Sequence, residues 1–439
     1  MVRAVQSIVG EYIRRVRESG RNARLFLAGI FLIGLGSSVF SLLFNLYLRE
    51  LGISDSRIGQ ILSKVSLGAA AAAIPVALIL RRVAARNVLV AAGSVTALAY
   101  VLQATLTAPE YLLTVAFLAG TVVTVFRLSI APVIMRESSP EARPFLFSAS
   151  YTVLFFSAIV GSIVGGALPH LFHLVTDSNR LALRWSLYAA CGLYLCSTWP
   201  FQLMTPTPPY REDADAGGAA AEGAAASGPE RALAAFRELA DIDWGLHLKL
   251  ILPSMLIGLG AGLIIPFMNL YFHDRFGLDE AAIGVIYAVM QGFMVVGNLF
   301  GPAVSRRLGL VGGVVATQLA SVPFMLVLGL SGWLPLVIGS FFLRSGLMNM
   351  NQPLSSHFAM EVVRERDHAV TNSLLALSWF AAWAISADIG GAMIERSGYT
   401  TPLLIAAALY VVASLLYWYF FRGVEEGRMP RSEVEISEA

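Results

Sequence analysis

Apolar residues run along this chain in blocks of about 20, the length a helix needs to cross the hydrocarbon core of a bilayer. Short clusters of charge, Pro and Gly separate them. The pattern predicts twelve spans: 25–48, 58–80, 87–107, 111–135, 145–168, 183–203, 248–272, 281–303, 310–330, 333–358, 369–394 and 399–422. The blocks are too long and too evenly apolar for the alternating strands of a barrel. A helix also satisfies its backbone polar groups internally, as lipid demands. Between the sixth and seventh blocks the sequence changes to TPTPPYREDADAGGAAAEGAAASGPE, which cannot build a core and reads as a linker. The expected order is an amphipathic basic segment (1–24), six spans (25–203), a linker ending in a short surface helix (204–247), six spans (248–422) and a tail (423–439). The fold class is therefore an all-α membrane protein of twelve transmembrane helices in two pseudo-symmetric six-helix bundles.

Composition agrees with the pattern. Of 439 residues, 56% are hydrophobic and 14% charged, and the mean hydropathy is +0.69. The net charge of +2 decides little, but the placement of basic residues decides orientation. With the N-terminus inside, the inner segments collect most of the arginines, while the outer ones hold only Arg49, Arg57, Arg180, Arg184, Arg275 and Arg396. The positive-inside rule then puts both termini in the cytoplasm, and a bacterial inner membrane is the expected location. Cys191 and Cys196 lie within one span and imply no disulfide framework.

An internal repeat divides the chain at the linker. NLYLRELGISDSRIG starts at Asn45, and NLYFHDRFGLDEAAIG starts at Asn269. Asn45-Leu46-Tyr47 matches Asn269-Leu270-Tyr271, Gly52 matches Gly277 after one inserted residue, and Ile58-Gly59 matches Ile283-Gly284. The same number of residues then separates Gly59 from Arg81-Arg82 and Gly284 from Arg306-Arg307. A weaker echo links MRESSPEAR after the fourth span to MEVVRERDH after the tenth.

Six plus six helices, a central linker and parallel half-repeats resemble the major facilitator superfamily over essentially the whole chain. The loops carrying Glu137, Pro140 and Arg143, and Glu361, Glu365 and Asn372-Ser373, resemble those of its bacterial drug-efflux-like members. The family signature after spans 2 and 8 is Gly-x-x-x-Asp-Arg-x-Gly-Arg-Arg. Here those loops read PVALILRRVAARN and GPAVSRRLGL and lack the acid, so the usual inner charge latch does not carry over. The resemblance implies that spans 1, 4, 7 and 10 line a central cavity, and that 2 meets 11 and 5 meets 8. It implies a secondary transporter working by alternating access, with a small-molecule substrate, membrane lipid around it and protons as coupling ion.

Charges at hydrocarbon depth are costly, roughly 2.5–3.5 kcal/mol each near a helix centre, so the few present are candidate functional groups. Lys64 and Asp388 fall at similar outer depth on spans 2 and 11 and form a candidate gate pair. The plainer alternative has Lys64 snorkelling outward and Asp388 facing a wet loop. Asp388 is also the candidate for proton coupling. Arg127 and Arg344 are candidates for a carboxylate or phosphate on the substrate, or equally for ties between neighbouring helices. Asn349, Asn351 and Gln352 accompany Arg344. Milder candidates for the cavity are Ser37, Ser41, Asn45, Asn269, Gln291 and the helical pair Trp379 and Trp383, all of which could simply pack helices.

Gly-rich runs such as GLGSS and GLGAG open no βαβ unit and carry no P-loop lysine, so they are read as close helix contacts. His170 and His173 lack the company of a metal site. No nucleophile or acid pair suggests an enzyme, nothing suggests nucleic acid, no cofactor is implied, and a monomer is expected. Two readings stand beside drug-like export: import or exchange of a small organic anion, and a sensor or lipid-moving protein that keeps the fold.

Overall fold

The computed structural model describes residues 20–138, 142–206, 243–364 and 367–426. The amphipathic segment before residue 20, Pro140, Glu365, most of the linker with its surface helix, and the tail beyond residue 426 lie outside the described residues.

Every described element is helical. The helices are α1 (Arg21–Glu50), α2 (Asp55–Arg82), α3 (Ala85–Thr105), α4 (Pro109–Glu137), α5 (Arg143–Phe172) and α6 (Asn179–Gln202). After the linker come α7 (Trp244–Ile264), a single 3-10 turn (Ile265–Phe267), α8 (Met268–Phe276), α9 (Glu280–Leu330), α10 (Leu334–Val362), α11 (His368–Ser397) and α12 (Thr400–Glu426).

Among the described residues, nine continuous helical stretches are long and apolar enough to cross a membrane. One of them, α9, has 51 residues and breaks at Gly309, where φ is 73°. A side chain would strain that backbone, so glycine is the residue that permits the break. The two limbs of α9 are the predicted eighth and ninth spans. The more polar α6 and α10, of 24 and 29 residues, complete the predicted set. Helix starts follow ordinary capping rules: Ser178 and Asp243 accept from the N–H groups of Leu181 and Leu246, and Asp279 from that of Ala282.

The described residues form two compact units. The first comprises the chain up to Ile242 together with Phe272–Ala288; the second comprises Asp243–Tyr271 and everything from Val289 onward. In the first, α1 packs on α5 and α6, α2 on α4, and α3 on α6. In the second, α7 packs on α11 and α12, which repeats the pattern of α1.

The repeat persists at the level of single bonds. Tyr47 donates its phenol hydrogen to the carbonyl of Ala104 at 2.7 Å, and Tyr271 donates to Leu328 at 2.6 Å, each across 57 residues. Gly52 and Gly277 both turn the chain with positive φ, 74° and 63°. Glycines mark the same crossings: Gly36 meets Ala190 and Tyr194 on α6, and Gly260 meets Tyr410 and Ala406 on α12. Gly165 on α5 rests on Val39, and Gly390 on α11 rests on the carbonyl of Leu263. These contacts explain the Gly-rich runs as surfaces of close helix approach.

One difference interrupts the symmetry. α1 runs unbroken past Ser41 and Asn45, whereas its counterpart breaks at the 3-10 turn containing Pro266. Proline has no N–H and cannot continue the ladder. Just past the break, the Asn269 side chain accepts from the Leu270 N–H at 3.0 Å.

Candidate functional site

The predicted residues fall into three settings. On the first unit, Asn45 is buried, Ser37 half-buried, and Ser41 exposed with its hydroxyl donating to the Ser38 carbonyl at 3.3 Å. Ser37 adjoins Tyr194, whose hydroxyl is enclosed without a well-directed hydrogen bond. The Tyr194 ring stands edge-on to Tyr100 at 5.1 Å and near Phe126 at 6.4 Å. Arg127 is exposed on α4 and Lys64 half-buried on α2.

On the second unit, Asn269 is buried beside the α7 break, and Gln291 is half-buried. Trp379 and Trp383 form a tilted pair with ring centroids 5.9 Å apart. Both are half-buried and pack along α7, Trp379 against Gly258 and Trp383 against Gly262. Gly258 leaves room for the Trp379 indole, whereas Gly262 admits the backbone of Trp383, and each half-buried indole keeps part of its surface accessible. Asp388 is exposed on α11.

The third setting is the interior around Arg344. Its side chain is 4% exposed and donates from Nη2 to the Tyr410 hydroxyl at 2.8 Å. The guanidinium carbon also lies 5.6 Å from the centroid of that ring, within cation–π range. Tyr410 lies one turn before Ser414, whose hydroxyl meets Gln318 Oε1 at 2.9 Å. A polar thread thus connects α10, α12 and the second limb of α9. Arg344 Nε, Asn349 Nδ2 and Asn351 Oδ1 are enclosed without hydrogen-bond partners among the described residues. Tyr410, Gln318 and Ser414 were not among the sequence candidates. Tyr410 lies 66 residues from Arg344, and only the rotation of α10 and α12 brings them together.

A second charged group was legible only as a topology marker. Arg49, at the end of α1, reaches Asp55 at the start of α2 and Asp274 at the end of α8, the latter at 2.7 Å. These residues belong to the first unit, which includes the outer corner of the second repeat. In the same unit His170 on α5 stands 3.5 Å from Asp279, and Gly166 presses on Glu280, Ala281 and Gly284. The expected meeting of spans 5 and 8 is therefore present at that corner. Asn179 bonds Glu50 at 2.9 Å and His173 at 3.2 Å, so His173 has an amide partner.

The comparisons agree with this architecture. A family model described as Major Facilitator Superfamily matches residues 26–387 and, in a second match, 254–437. No curated protein matches the sequence. Among solved structures, a point mutant of the nucleoside transporter NupG is similar with 15% identity and a TM-score of 0.73, covering 92% of this chain and 100% of its own. A bacterial homologue of the human lysosomal transporter Spinster, inward-facing and unoccupied, has 13% identity and a TM-score of 0.74, with coverage of 93% and 98%. A bacterial homologue of the iron transporter ferroportin gives 15%, 0.66, 90% and 98%. At such identities these likenesses speak for the fold, and the family match covers most of the chain. With its duplicated helical halves and long apolar spans, the chain belongs to the Major Facilitator Superfamily, as a multi-pass membrane protein of secondary-transporter type and not an enzyme.

Proposed function

We propose that the protein exports a small amphiphilic, drug-like solute across a bacterial inner membrane by alternating access coupled to protons. The observation that carries the reading is the duplicated glycine packing within each unit. Alternating access needs halves that move as bodies, and close backbone crossings at Gly34, Gly36 and Gly165, and again at Gly258, Gly260 and Gly390, stiffen each one internally. The solute class rests on the accessible sides of Trp379 and Trp383 and on the neutral Ser37, Ser41, Asn45, Asn269, Gln291 and Asn349. Aromatic faces with scattered amides suit a semi-apolar ligand.

Arg49 between Asp55 and Asp274 gives this reading an outer clasp that holds the two copies of the repeated corner together. Lys64 and Asp388 are proposed as a second pair engaged when the outer mouth is shut. Asp388, exposed on α11, takes the coupling proton. The distribution of arginines supports a cytoplasmic position for both termini, and a monomer suffices for the cycle.

Reconstitution in proteoliposomes under an imposed pH gradient tests the proposal. Lipophilic cations, organic acids and lysolipids are offered side by side, with and without a proton ionophore. Ionophore-sensitive accumulation of one class is expected. Flux indifferent to the ionophore removes proton coupling, and absence of any flux removes the transport reading altogether.

A further inference from the structure

Arg344 is a cation with too little around it. A guanidinium carries five N–H donors and no acceptor. Its one described hydrogen bond goes to the neutral phenol of Tyr410. Nε is enclosed without a partner among the described residues. The described side-chain carboxylates of the second unit are engaged or distant in role: Asp243 caps α7, Glu361 meets His357, and Asp367 meets Arg364. Asp388 and Glu395 are exposed. An enclosed charge is costly unless an opposite charge or a full set of hydrogen bonds meets it.

The scaffold does not require the cation. In the first unit Tyr194 occupies the place of Tyr410, with its ring against Gly36 as that of Tyr410 is against Gly260. Its surroundings are the rings of Tyr100 and Phe126 and the Ser37 side chain, with no arginine acting on it among the described residues. One half folds around a neutral aromatic nest; the other places a guanidinium in it.

Resting on the transport reading above, we propose that Arg344, beside Tyr410, receives an oxyanion, a carboxylate or phosphate monoester, carried as the head of the transported amphiphile. Nε and the remaining N–H groups are the kind of fork that takes such a group bidentately, and exclusion of water strengthens the bond.

The test measures thermal unfolding of the full chain in detergent with benzoate, phenyl phosphate, benzyl alcohol, benzylamine and inorganic phosphate. A ligand that binds the folded state raises the midpoint in proportion to its saturation. Benzoate and phenyl phosphate are expected to raise it, and the alcohol and amine to leave it unchanged. In Arg344→Gln the anion effect should require at least tenfold more ligand. An alcohol as effective as benzoate, or an unchanged response in Arg344→Gln, overturns the proposal. Should Arg344→Gln not fold, Tyr410→Phe decides, because it keeps the cation: preference for benzoate over benzyl alcohol must survive there, and its loss in folded protein overturns the assignment. Phenyl phosphate acting at tenfold lower concentration than inorganic phosphate supports a solute head; equal action assigns the site to a free anion and overturns that part. Flux in proteoliposomes without anion protection sinks this inference alone, whereas no flux of any solute sinks the reading on which it rests.

Discussion

The two halves spend the same bonds on shape and different ones on charge. Tyr47 and Tyr271 tie equivalent helices with the same phenol-to-carbonyl bond, and Gly36 and Gly260 admit equivalent tyrosines. Yet Tyr194 faces aromatic rings, while Tyr410 accepts from an enclosed arginine. A duplicated scaffold constrains backbone approach, which leaves side-chain chemistry free to diverge at the points where the halves no longer need to be alike. Two of the asymmetries, Arg344 and the Pro266 break, fall in the second half.

The sharpest way to break the comparison is at the glycine crossings. A methyl group on Gly390 meets the carbonyl of Leu263 closer than real atoms approach, whereas on Gly165 it would meet Val39 Cα at 3.1 Å. Backbone cannot rotate away as a side chain can. Gly390→Ala is therefore expected to cost about 3 kcal/mol or more, and Gly165→Ala about 1 kcal/mol. Unfolding titrations of the purified variants read the difference. Equal costs would mean that the two crossings are as tight as each other.

Next comes the pair of tyrosines. Tyr410→Phe removes the described acceptor of a buried guanidinium and should cost about 1–3 kcal/mol, since a hydrogen bond to a charged group is lost and the donor is left unpaired. Tyr194→Phe removes a hydroxyl enclosed without a good partner, and stability should change by less than about 1 kcal/mol, in either direction. A loss at Tyr194 matching that at Tyr410 would erase the contrast. By comparison Tyr47→Phe and Tyr271→Phe should each cost about 1 kcal/mol, and equally, because the two bonds are alike in length, burial and span. Unequal costs at that pair would weaken the claim of a common scaffold.

How much of this was legible in the sequence follows the same division. The repeated NLY and the glycines after it announced the equivalent corners, because tight turns and close contacts demand particular residues wherever they occur. The break at Gly309 was visible as the loop between two apolar blocks, although α9 is continuous by hydrogen bonding on either side of it. Arg344 stood out because a charge inside a span is costly. Its acceptor did not, since a tyrosine in an apolar helix carries no mark of which neighbour it will face. Trp379 and Trp383 were predicted as a shared face, and only the packing shows Gly258 beneath the Trp379 indole and Gly262 against the Trp383 backbone. Arg49 and Asp274 were legible as members of outer segments, but their pairing depends on how the two corners fold together in the first unit.

That outer cluster supplies the smallest expected effect on stability and a direct test of the proposed clasp. Arg49 and Asp274 retain side-chain exposures of 29% and 28%, so water and salt screen them, and each broken bond should cost no more than about 1 kcal/mol. Asp55, at 12%, is more enclosed and should be the costlier partner to lose. What Asp274→Asn should change more visibly is a population. If Arg49 holds the repeated corners together, losing one carboxylate raises the fraction of molecules in which they part. An Ala281→Cys side chain, on the segment that packs on Gly166, would then react faster with a water-soluble thiol reagent in a background lacking Cys191 and Cys196. Because about 1.4 kcal/mol corresponds to a tenfold shift in an equilibrium, a several-fold acceleration is the size to expect. Restoring the pair in reversed order, Arg49→Asp with Asp274→Arg, leaves Asp55 facing an aspartate and should recover only part of the protection. Full recovery would show that Asp55 plays no part in holding Arg49, and unchanged reactivity in Asp274→Asn would remove the clasp while leaving the duplicated scaffold intact.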